Sequence, residues 1–198
     1  TVRTGELFMA WAGVAWDAHD YVHDALARGA AAVLVERPLA DLTVPQLVVT
    51  DGRLAAALVA DAAAGSPWQR LDLVAVTGTN GKTTTALMVR HLLSVRGPAA
   101  ALGTLGIVGP DGTPRPGTGA LTTPGPVQLS SWLSALADEG IGTVAMEASS
   151  HALEQRRLDG VRFRAAAFTN LTQDHLDYHG SMEEYRRAKE HLVGLVAE

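Results

Sequence analysis

Short apolar runs alternate with helical patterns along most of the chain. Runs rich in β-branched residues or alanine, bounded by glycine, proline or polar residues, predict buried strands, and apolar residues spaced three and four apart predict amphipathic helices. Because the two patterns alternate, we predict an α/β protein whose strands are mostly parallel. The predicted strands cover residues 6–12, 30–35, 46–49, 71–76, 99–102, 143–146 and 163–169, and the predicted helices cover residues 20–28, 52–64, 82–95, 127–138 and 182–193.

Gly65, Ser66 and Pro67 interrupt this pattern and mark a candidate domain boundary. The pattern before them predicts a small α/β unit, and a second unit with a mostly parallel sheet begins after them. We therefore divide the chain into domains of residues 1–67 and 68–198. Within the second domain, residues 106–119 are so rich in glycine, proline and threonine that we predict an exposed loop there.

The composition limits the classes of protein to which the chain can belong. Hydrophobic residues make up 47%, charged residues 19%, and the net charge is -5, which is typical of a soluble globular protein and not of one that binds nucleic acid. The absence of cysteine excludes disulfides and thiolate metal sites, and no apolar run approaches the roughly 20 residues of a membrane-spanning helix. We therefore expect a cytoplasmic protein without membrane insertion. Because the chain lacks an initial methionine and ends just after a helical pattern, we expect a piece of a longer protein.

The strongest candidate for chemistry follows the predicted strand 71–76. A turn with two glycines leads into a helix that starts with a lysine and threonines, and such a turn lets backbone amides and a helix N-terminus surround a phosphate. The lysine adds positive charge, and a threonine hydroxyl can bind Mg²⁺. The common phosphate-loop pattern has a glycine where this chain has Val76, and an ordinary strand-to-helix turn is the alternative. We predict a nucleoside triphosphate site formed by Gly78, Thr79, Asn80, Gly81, Lys82, Thr83 and Thr84.

Acidic and imidazole side chains follow later strands, at the sheet edge where parallel sheets bind ligands. Glu147 ends an apolar strand, where a carboxylate could bind a metal ion held by nucleotide phosphates; the alternative is a helix-capping or surface acid. Residues 174–179 contain two aspartates and two histidines. This density could hold a second metal ion, or it could form a polar turn in which an aspartate caps a helix.

Candidate substrate contacts lie near these residues. Thr122 and Thr123, followed by the rigid Pro124, could bind a polar substrate or cap a helix. A second group of polar side chains would suit a sugar, a phosphate or a carboxylate. This group consists of Ser149, Ser150, Gln155, Arg156 and Arg157.

Two further positions give weaker signals. Ser150 and His151 are adjacent, but the glycine pattern of a hydrolase nucleophile does not surround them. Lys189 stands beside Glu190, and its spacing alone predicts a surface lysine.

Five motifs, in order along the chain, closely resemble the Mur ligases and most closely their MurE type. The shortened phosphate loop of that family also accounts for Val76. Residues 5–8 and 13–21 give a thinner match to the uridine-binding N-terminal domain, with Ala18 where glycine is usual. The five motifs are residues 77–84, 121–124, 146–151, 168–179 and 185–189.

The resemblance implies roles for the matching positions. Gly78 to Thr84 would bind ATP, with Lys82 on the phosphates and Thr83 and Glu147 on one Mg²⁺. His175 would bind a second Mg²⁺ together with Lys189, which in this family is carbamylated by CO₂ and so carries a carboxylate. The positions that match contacts to the UDP-sugar are Thr122, Thr123, Ser149, Gln155 and Arg157, with Leu121 replacing a polar residue of some relatives.

The resemblance also implies a reaction. The γ-phosphoryl group of ATP would pass to the glutamate carboxylate of UDP-N-acetylmuramoyl-L-alanyl-D-glutamate, and an amine would attack the resulting acyl phosphate to form the amide of peptidoglycan. The amine would come from diaminopimelate, lysine or ornithine.

The chain departs from the family at both ends. The start of the UDP-binding domain, the rest of the central ATPase domain and a C-terminal domain are lacking, so we expect the 198 residues alone to be inactive or nearly so. Two alternatives stay open: a ligase like folylpolyglutamate synthetase, and a non-catalytic module that binds a nucleotide or a UDP-sugar.

Overall fold

A computed structural model describes residues 2–13 and 16–197. Positions 14 and 15 of the predicted uridine segment lie outside these ranges, as do the two ends of the predicted domains, residues 1 and 198. Contacts within the chain separate two compact units, Thr1–Ala56 and Ala57–Glu198. This division falls inside a helix rather than at Gly65 to Pro67, so the domain limits given above stay a prediction.

A parallel sheet of three strands forms the first unit. The strands lie in the order β1, β2, β3, with Phe8 beside Val33 and Leu34 beside Leu47. Val22 packs against this sheet and is fully buried. The elements are β1 (Leu7–Met9), a 3-10 helix (Ala18–Tyr21), α1 (Val22–Ala27), β2 (Ala32–Val35), β3 (Gln46–Val48) and α2 (Gly52–Ala63), which extends into the second unit.

A sheet of five strands forms the second unit, in the order β6, β5, β7, β4, β8. All neighbours are parallel except β5 and β6, which confirms the predicted α/β class. The elements are a 3-10 helix (Pro67–Arg70), β4 (Asp72–Thr77), α3 (Lys82–Leu93), β5 (Ala99–Gly103), β6 (Gly106–Val108), α4 (Pro126–Asp138), β7 (Thr143–Glu147), α5 (Ser150–Glu154), β8 (Ala165–Phe168), α6 (Leu176–His179), α7 (Met182–Glu190) and a 3-10 helix (His191–Leu195).

Both faces of the second sheet are covered, which explains why its strands are apolar without alternation. On β4, Leu73 and Ala75 belong to the main core, whereas Val76 belongs to a smaller cluster on the other face with Ala86 of α3. Between their first residues, Asp72 and Thr143, and their carboxyl ends, the central strands β4 and β7 therefore have no polar position. There the chain turns polar, and these ends gather the candidate residues at one edge.

The expectation of an exposed loop over residues 106–119 is wrong at its start. Gly106 to Val108 form β6, and Ile107 and Val108 are each only 3% exposed. The glycine that suggested a loop is needed in the strand: Gly106 has a φ of 78°, and a Cβ atom there would lie 2.2 Å from the Thr118 hydroxyl. A two-residue turn joins β5 to β6.

The helical segments near the carboxyl end also differ from the prediction. The predicted helix 182–193 is α-helical only to Glu190 and continues as the 3-10 helix His191–Leu195. Helices α5 and α6 were not predicted because they have 5 and 4 residues, too few to produce a helical period in the sequence.

Candidate functional site

The loop between β4 and α3 has the backbone geometry of a phosphate-binding loop. Gly78 and Gly81 have φ values of 142° and 84°, which other residues adopt only with strain. A Cβ atom on Gly78 would lie 2.0 Å from the hydroxyl of Thr169. No side chain caps α3, so its first amides point into the loop. The first turn of α3 is thus able to present backbone N–H groups to an anion, whereas the Thr79 and Asn80 amides donate to Asn170.

Lys82 lies along the inner side of this loop. Its Nζ atom donates hydrogen bonds to the carbonyl oxygens of Gly78, at 3.0 Å, and Thr79, at 2.8 Å. The ammonium group is therefore held at the loop, where a phosphate tail bound by the amides would meet it.

Lys189 is buried, with 1% of its surface exposed, so the expectation of a surface lysine is wrong. Its Nζ atom donates to the same Gly78 oxygen at 2.9 Å and stands 4.5 Å from the centre of the Tyr185 ring. Burial, and then the positive charge of Lys82, lower the pKa of Lys189 to about 8. The signal that could have found this residue is the helical period that places it on the buried side of α7 with Tyr185.

Glu147 is 2% exposed and is therefore not a surface acid. Its Oε1 atom accepts hydrogen bonds from the Thr83 hydroxyl at 2.9 Å and from the Thr104 amide at 2.8 Å. A Cβ atom on Gly103 would lie 2.0 Å from the same oxygen. The carboxylate is thus held against the end of β5, next to the first turn of α3.

Sequence reasoning missed Gly103 and Thr104. Both lie at the carboxyl end of β5, and the strand-end rule that selected Glu147 would have selected them too. The Thr104 hydroxyl also lies 3.1 Å from the Thr122 hydroxyl. Thr104 therefore joins the buried acid to one of the predicted substrate residues.

The donor set at Thr83 and Glu147 fits Mg²⁺. A hydroxyl and a carboxylate oxygen 2.9 Å apart offer the hard oxygen ligands that this ion prefers, and Mg²⁺ commonly completes its shell with phosphate oxygens and water. Over residues 2–13 and 16–197, no three His, Asp or Glu side chains form a group able to hold a metal ion.

The two histidines of the segment 174–179 have different surroundings. His175 is half exposed, has a φ of 51° and lies 3.5 Å from the Asp174 carboxylate. His179 is buried between the Ser150 hydroxyl, at 3.0 Å, and the Glu154 carboxylate, at 3.1 Å. No side chain caps α6, so the alternative of a capping aspartate is wrong.

A cluster of rings surrounds these histidines. The His151 ring centre lies 4.8 Å from that of His175 and 5.4 Å from that of His179. Burial, followed by the nearby charge of His175, lowers the pKa of both His151 and His179. Ser150 bonds to His179 rather than to its neighbour His151, which agrees with setting a hydrolase aside.

Thr123 is the centre of the predicted substrate residues. It is buried. Its hydroxyl donates a hydrogen bond to the Glu147 carbonyl oxygen at 2.8 Å and accepts one from the Ser149 amide at 3.0 Å. Its own carbonyl oxygen accepts from Arg157 Nη1 at 2.9 Å. Arg157 in turn binds Gln155. The structure thus brings four of the five predicted substrate residues together, and Thr122 is next in the chain.

The alternative that these threonines cap a helix is wrong. The N-cap residue of α4 is Gly125, and no side chain bonds there. Ser149 does cap α5, because its hydroxyl accepts from the Ala152 amide at 3.3 Å.

None of the helices in residues 2–13 and 16–197 is long and apolar enough to cross a membrane.

Comparison with known proteins identifies the family. Residues 76–198, more than half of the chain, match the model of the Mur ligase middle domain. The chain belongs to the Mur ligase family. The matched region contains all five motifs that carried the resemblance, and it begins at the strand that leads into the phosphate loop.

Curated relatives share about half of the residues. A UDP-N-acetylmuramoyl-L-alanyl-D-glutamate--2,6-diaminopimelate ligase of Geobacillus kaustophilus is 49% identical over 190 residues, and one of Agrobacterium fabrum is 50% identical over 195 residues. The alignments cover 95% and 98% of this chain but only 38% and 39% of those relatives. These matches do not favour the folylpolyglutamate synthetase alternative.

A solved structure gives the same result. The chain aligns with the solved structure of a UDP-N-acetylmuramoyl-L-alanyl-D-glutamate--2,6-diaminopimelate ligase. The alignment covers 98% of this chain, with a TM-score of 0.81 and 34% identity. The alignment covers 39% of that structure. The fold described above is therefore that of the corresponding part of a Mur ligase.

Proposed function

We propose that this chain supplies the ATP-binding centre and the UDP-sugar contacts of an ATP-dependent ligase that extends the stem peptide of peptidoglycan. One observation supports this most strongly: Glu147 contacts the phosphate loop through Thr83 and the substrate residue Thr123 through its backbone oxygen. A buried acid between a phosphate site and a polar substrate site could hold the Mg²⁺ that phosphoryl transfer to a bound carboxylate requires.

The phosphate loop would hold the tail of ATP. Backbone amides between Gly78 and Thr84 would bind the phosphate oxygens, except those of Thr79 and Asn80, which donate to Asn170. Lys82 would neutralise charge on the transferred group. Thr83 and Glu147 would hold Mg²⁺, which supplies charge neutralisation on the phosphates when it is bound. Thr104 keeps the Glu147 carboxylate turned toward Thr83 through its amide hydrogen bond.

The chemistry would then proceed in two steps. An oxygen of the glutamate carboxylate of UDP-N-acetylmuramoyl-L-alanyl-D-glutamate attacks the γ-phosphorus, the bond to ADP breaks, and an acyl phosphate forms. The amine of the incoming amino acid attacks the acyl carbon, phosphate leaves, and the amine loses a proton as the amide forms. In our proposal Thr122, Thr123, Ser149, Gln155 and Arg157 position the carboxylate for the first step.

A second metal position would use His175 and a carbamylated Lys189. The ammonium group first loses a proton, and the neutral amine then joins CO₂ and releases a second proton, so a cation becomes a carboxylate. Two observations support Lys189 as the site: it is buried beside the phosphate loop, and its nitrogen reaches the Gly78 oxygen. We test this by intact mass in bicarbonate buffer, expecting an added CO₂ on the wild type and none on Lys189→Met.

We propose diaminopimelate as the amino acid added, because it is the one in the names of the relatives reported above. We place the reaction in the cytoplasm, because it consumes ATP and because the chain has no cysteine.

The proposal is tested by calorimetric titration of this chain with a non-hydrolysable ATP analogue and with UDP-N-acetylmuramoyl-L-alanyl-D-glutamate. We expect both to bind, and we expect Mg²⁺ to strengthen binding of the analogue. Glu147→Gln keeps the shape and removes the charge, so it should abolish most of the Mg²⁺ effect. Binding of neither ligand by folded protein would refute the proposal.

A further inference from the structure

Tyr178 joins the proposed substrate residues to the ring cluster. Its hydroxyl lies 2.9 Å from Gln155 Nε2, and Gln155 binds Arg157, which binds the Thr123 carbonyl oxygen. One line of hydrogen bonds therefore runs from Tyr178 to the strand end at Glu147. None of the roles proposed above uses Tyr178.

The orientation of the Gln155 amide follows from its partners. Arg157 Nε and Nη2 lie 3.1 and 2.6 Å from Gln155 Oε1. A guanidinium group has donors only, so the amide oxygen must face Arg157 and the NH₂ group must face Tyr178. Tyr178 accepts this hydrogen bond, and its own hydroxyl proton is left to donate to another acceptor. Among the described residues the structure gives no acceptor for that proton.

Ring packing fixes the Tyr178 hydroxyl in place. The Tyr178 ring centre lies 4.1 Å from that of His151 and 4.9 Å from that of His179. His151 in turn packs edge-on against His175. Aromatic contacts thus hold the phenol on two sides, which keeps its oxygen within hydrogen-bond distance of the Gln155 amide.

We infer that Tyr178 is a positioning residue for the UDP-muramoyl-dipeptide. It holds the Gln155 amide, whose oxygen accepts two hydrogen bonds from Arg157 and so contributes to fixing the plane of that guanidinium group. Its hydroxyl proton is the donor for an acceptor oxygen of the bound sugar-peptide. This inference rests on the proposed function, because it assigns Tyr178 to the same substrate.

The experiment measures binding of UDP-N-acetylmuramoyl-L-alanyl-D-glutamate and of the ATP analogue to Tyr178→Phe. This variant keeps the ring contacts with His151 and removes only the hydroxyl. Loss of one neutral hydrogen bond of about 1 kcal/mol predicts roughly 5-fold weaker binding of the UDP-sugar. Binding of the ATP analogue should change by less than about 2-fold.

A double-mutant cycle separates positioning from a general structural role. Gln155→Met removes the same hydrogen bond from the other side, so it should also weaken binding of the UDP-sugar. Adding Tyr178→Phe to Gln155→Met should then produce a smaller further loss than Tyr178→Phe alone. Tyr185→Phe serves as the matched variant, since it removes a phenol hydroxyl that bonds Thr79 instead. It should weaken binding of the ATP analogue more than binding of the UDP-sugar.

Three results would count against the inference. If the wild type binds the UDP-sugar and Tyr178→Phe binds it equally well, Tyr178 has no role in that site. If the loss is the same in the Gln155→Met background, Tyr178 does not act through Gln155. If the wild type itself does not bind the UDP-sugar, the proposed function is refuted, and this inference is refuted with it. Thermal unfolding of each variant establishes that the compared proteins are folded.

Discussion

The carbonyl oxygen of Gly78 accepts hydrogen bonds from two lysines, Lys82 and Lys189. Burial shields Lys189 from water, and the positive charge of Lys82 at the same acceptor repels the charge of Lys189. Its pKa of about 8, against an ordinary value of 10.5, follows from these two causes. The folded protein therefore binds the Lys189 proton less tightly than the unfolded chain does.

This difference predicts how stability depends on pH. Below about pH 8, Lys189 is protonated in both the folded and the unfolded state, and the buried charge lowers the free energy of unfolding by its full amount. Between about pH 8 and 10.5 the folded state loses this proton first, so stability should rise, by up to about 3 kcal/mol. Urea unfolding at a series of pH values, in buffer freed of CO₂, measures this rise.

Lys189→Met is the control for that measurement. It removes the titrating group, so its stability should lack the extra rise above pH 8 and should exceed that of the wild type at pH 7. Parallel curves for the two proteins between pH 8 and 10 would contradict the assigned pKa shift.

Gly103 gives a second prediction at the scale of one residue. Its backbone has no positive φ, so alanine is conformationally allowed, but the added Cβ would displace the Glu147 carboxylate. We expect Gly103→Ala to reduce the Mg²⁺ effect on binding of the ATP analogue by about tenfold or more, the loss of one charged ligand. Calorimetric titration with and without Mg²⁺ measures this effect.

Gly142→Ala is the matched control, because Gly142 is exposed and nothing lies near a Cβ atom there. It should bind Mg²⁺ and nucleotide as the wild type does. Equal behaviour of the two alanine variants would show that Gly103 does not position Glu147.

Helix α4 shows how one element stabilises the second unit. Leu129, Leu133 and Leu136 lie on one face of α4 and are at most 1% exposed, within the main core. Their spacing of three and four places them in a single stripe. The helix therefore contributes chiefly by covering one side of the sheet.

Leu133→Ala tests that contribution. Loss of a fully buried leucine and the remaining cavity should lower the free energy of unfolding by about 2–5 kcal/mol. Val127→Ala in the same helix removes a side chain that is 58% exposed and should change it by about 0.5 kcal/mol or less. Urea denaturation of both variants measures the difference, and similar losses would contradict the assigned core.

The period of apolar residues predicted most strands and long helices, because these elements bury a face and repeat it. It could not predict α5 and α6, which are too short to repeat. Strand β6 was assigned to a loop because residues 106–119 are rich in glycine, proline and threonine. Elements whose form depends on one close contact, such as Gly106 against Thr118, need the folded structure.

For the molecule as a whole, the edge of the sheet where polar residues such as Glu147 gather was predictable from the strand-end rule. The burial of Lys189 was not predicted, because only the helical period that it shares with Tyr185 pointed to it and the packing of α7 decides it. Tyr178 was not either, because its partner Gln155 is distant in sequence and the bond forms only when α5 and α6 are in place. The resemblance to a family supplied the role of Lys189, and the role remains a prediction.

The extent of the chain leads to a prediction about activity. It spans 38–39% of the length of the curated relatives reported above, so we expect binding without turnover. Incubation with ATP, Mg²⁺, the UDP-sugar and diaminopimelate should give no amide by mass spectrometry. Amide formation by the 198 residues alone would contradict this.

The two lysines at Gly78 affect the choice of a nucleotide-binding knock-out. Replacing Lys82 by alanine would delete the positive charge that, after burial, lowers the pKa of Lys189 and so raises the fraction of its free amine. Only the free amine reacts with CO₂. Such a variant would be expected to weaken both the proposed nucleotide binding and the proposed carbamylation, although the assay measures only the first. Arginine at position 82 preserves the local charge, and comparing the two substitutions would tell which function had been lost.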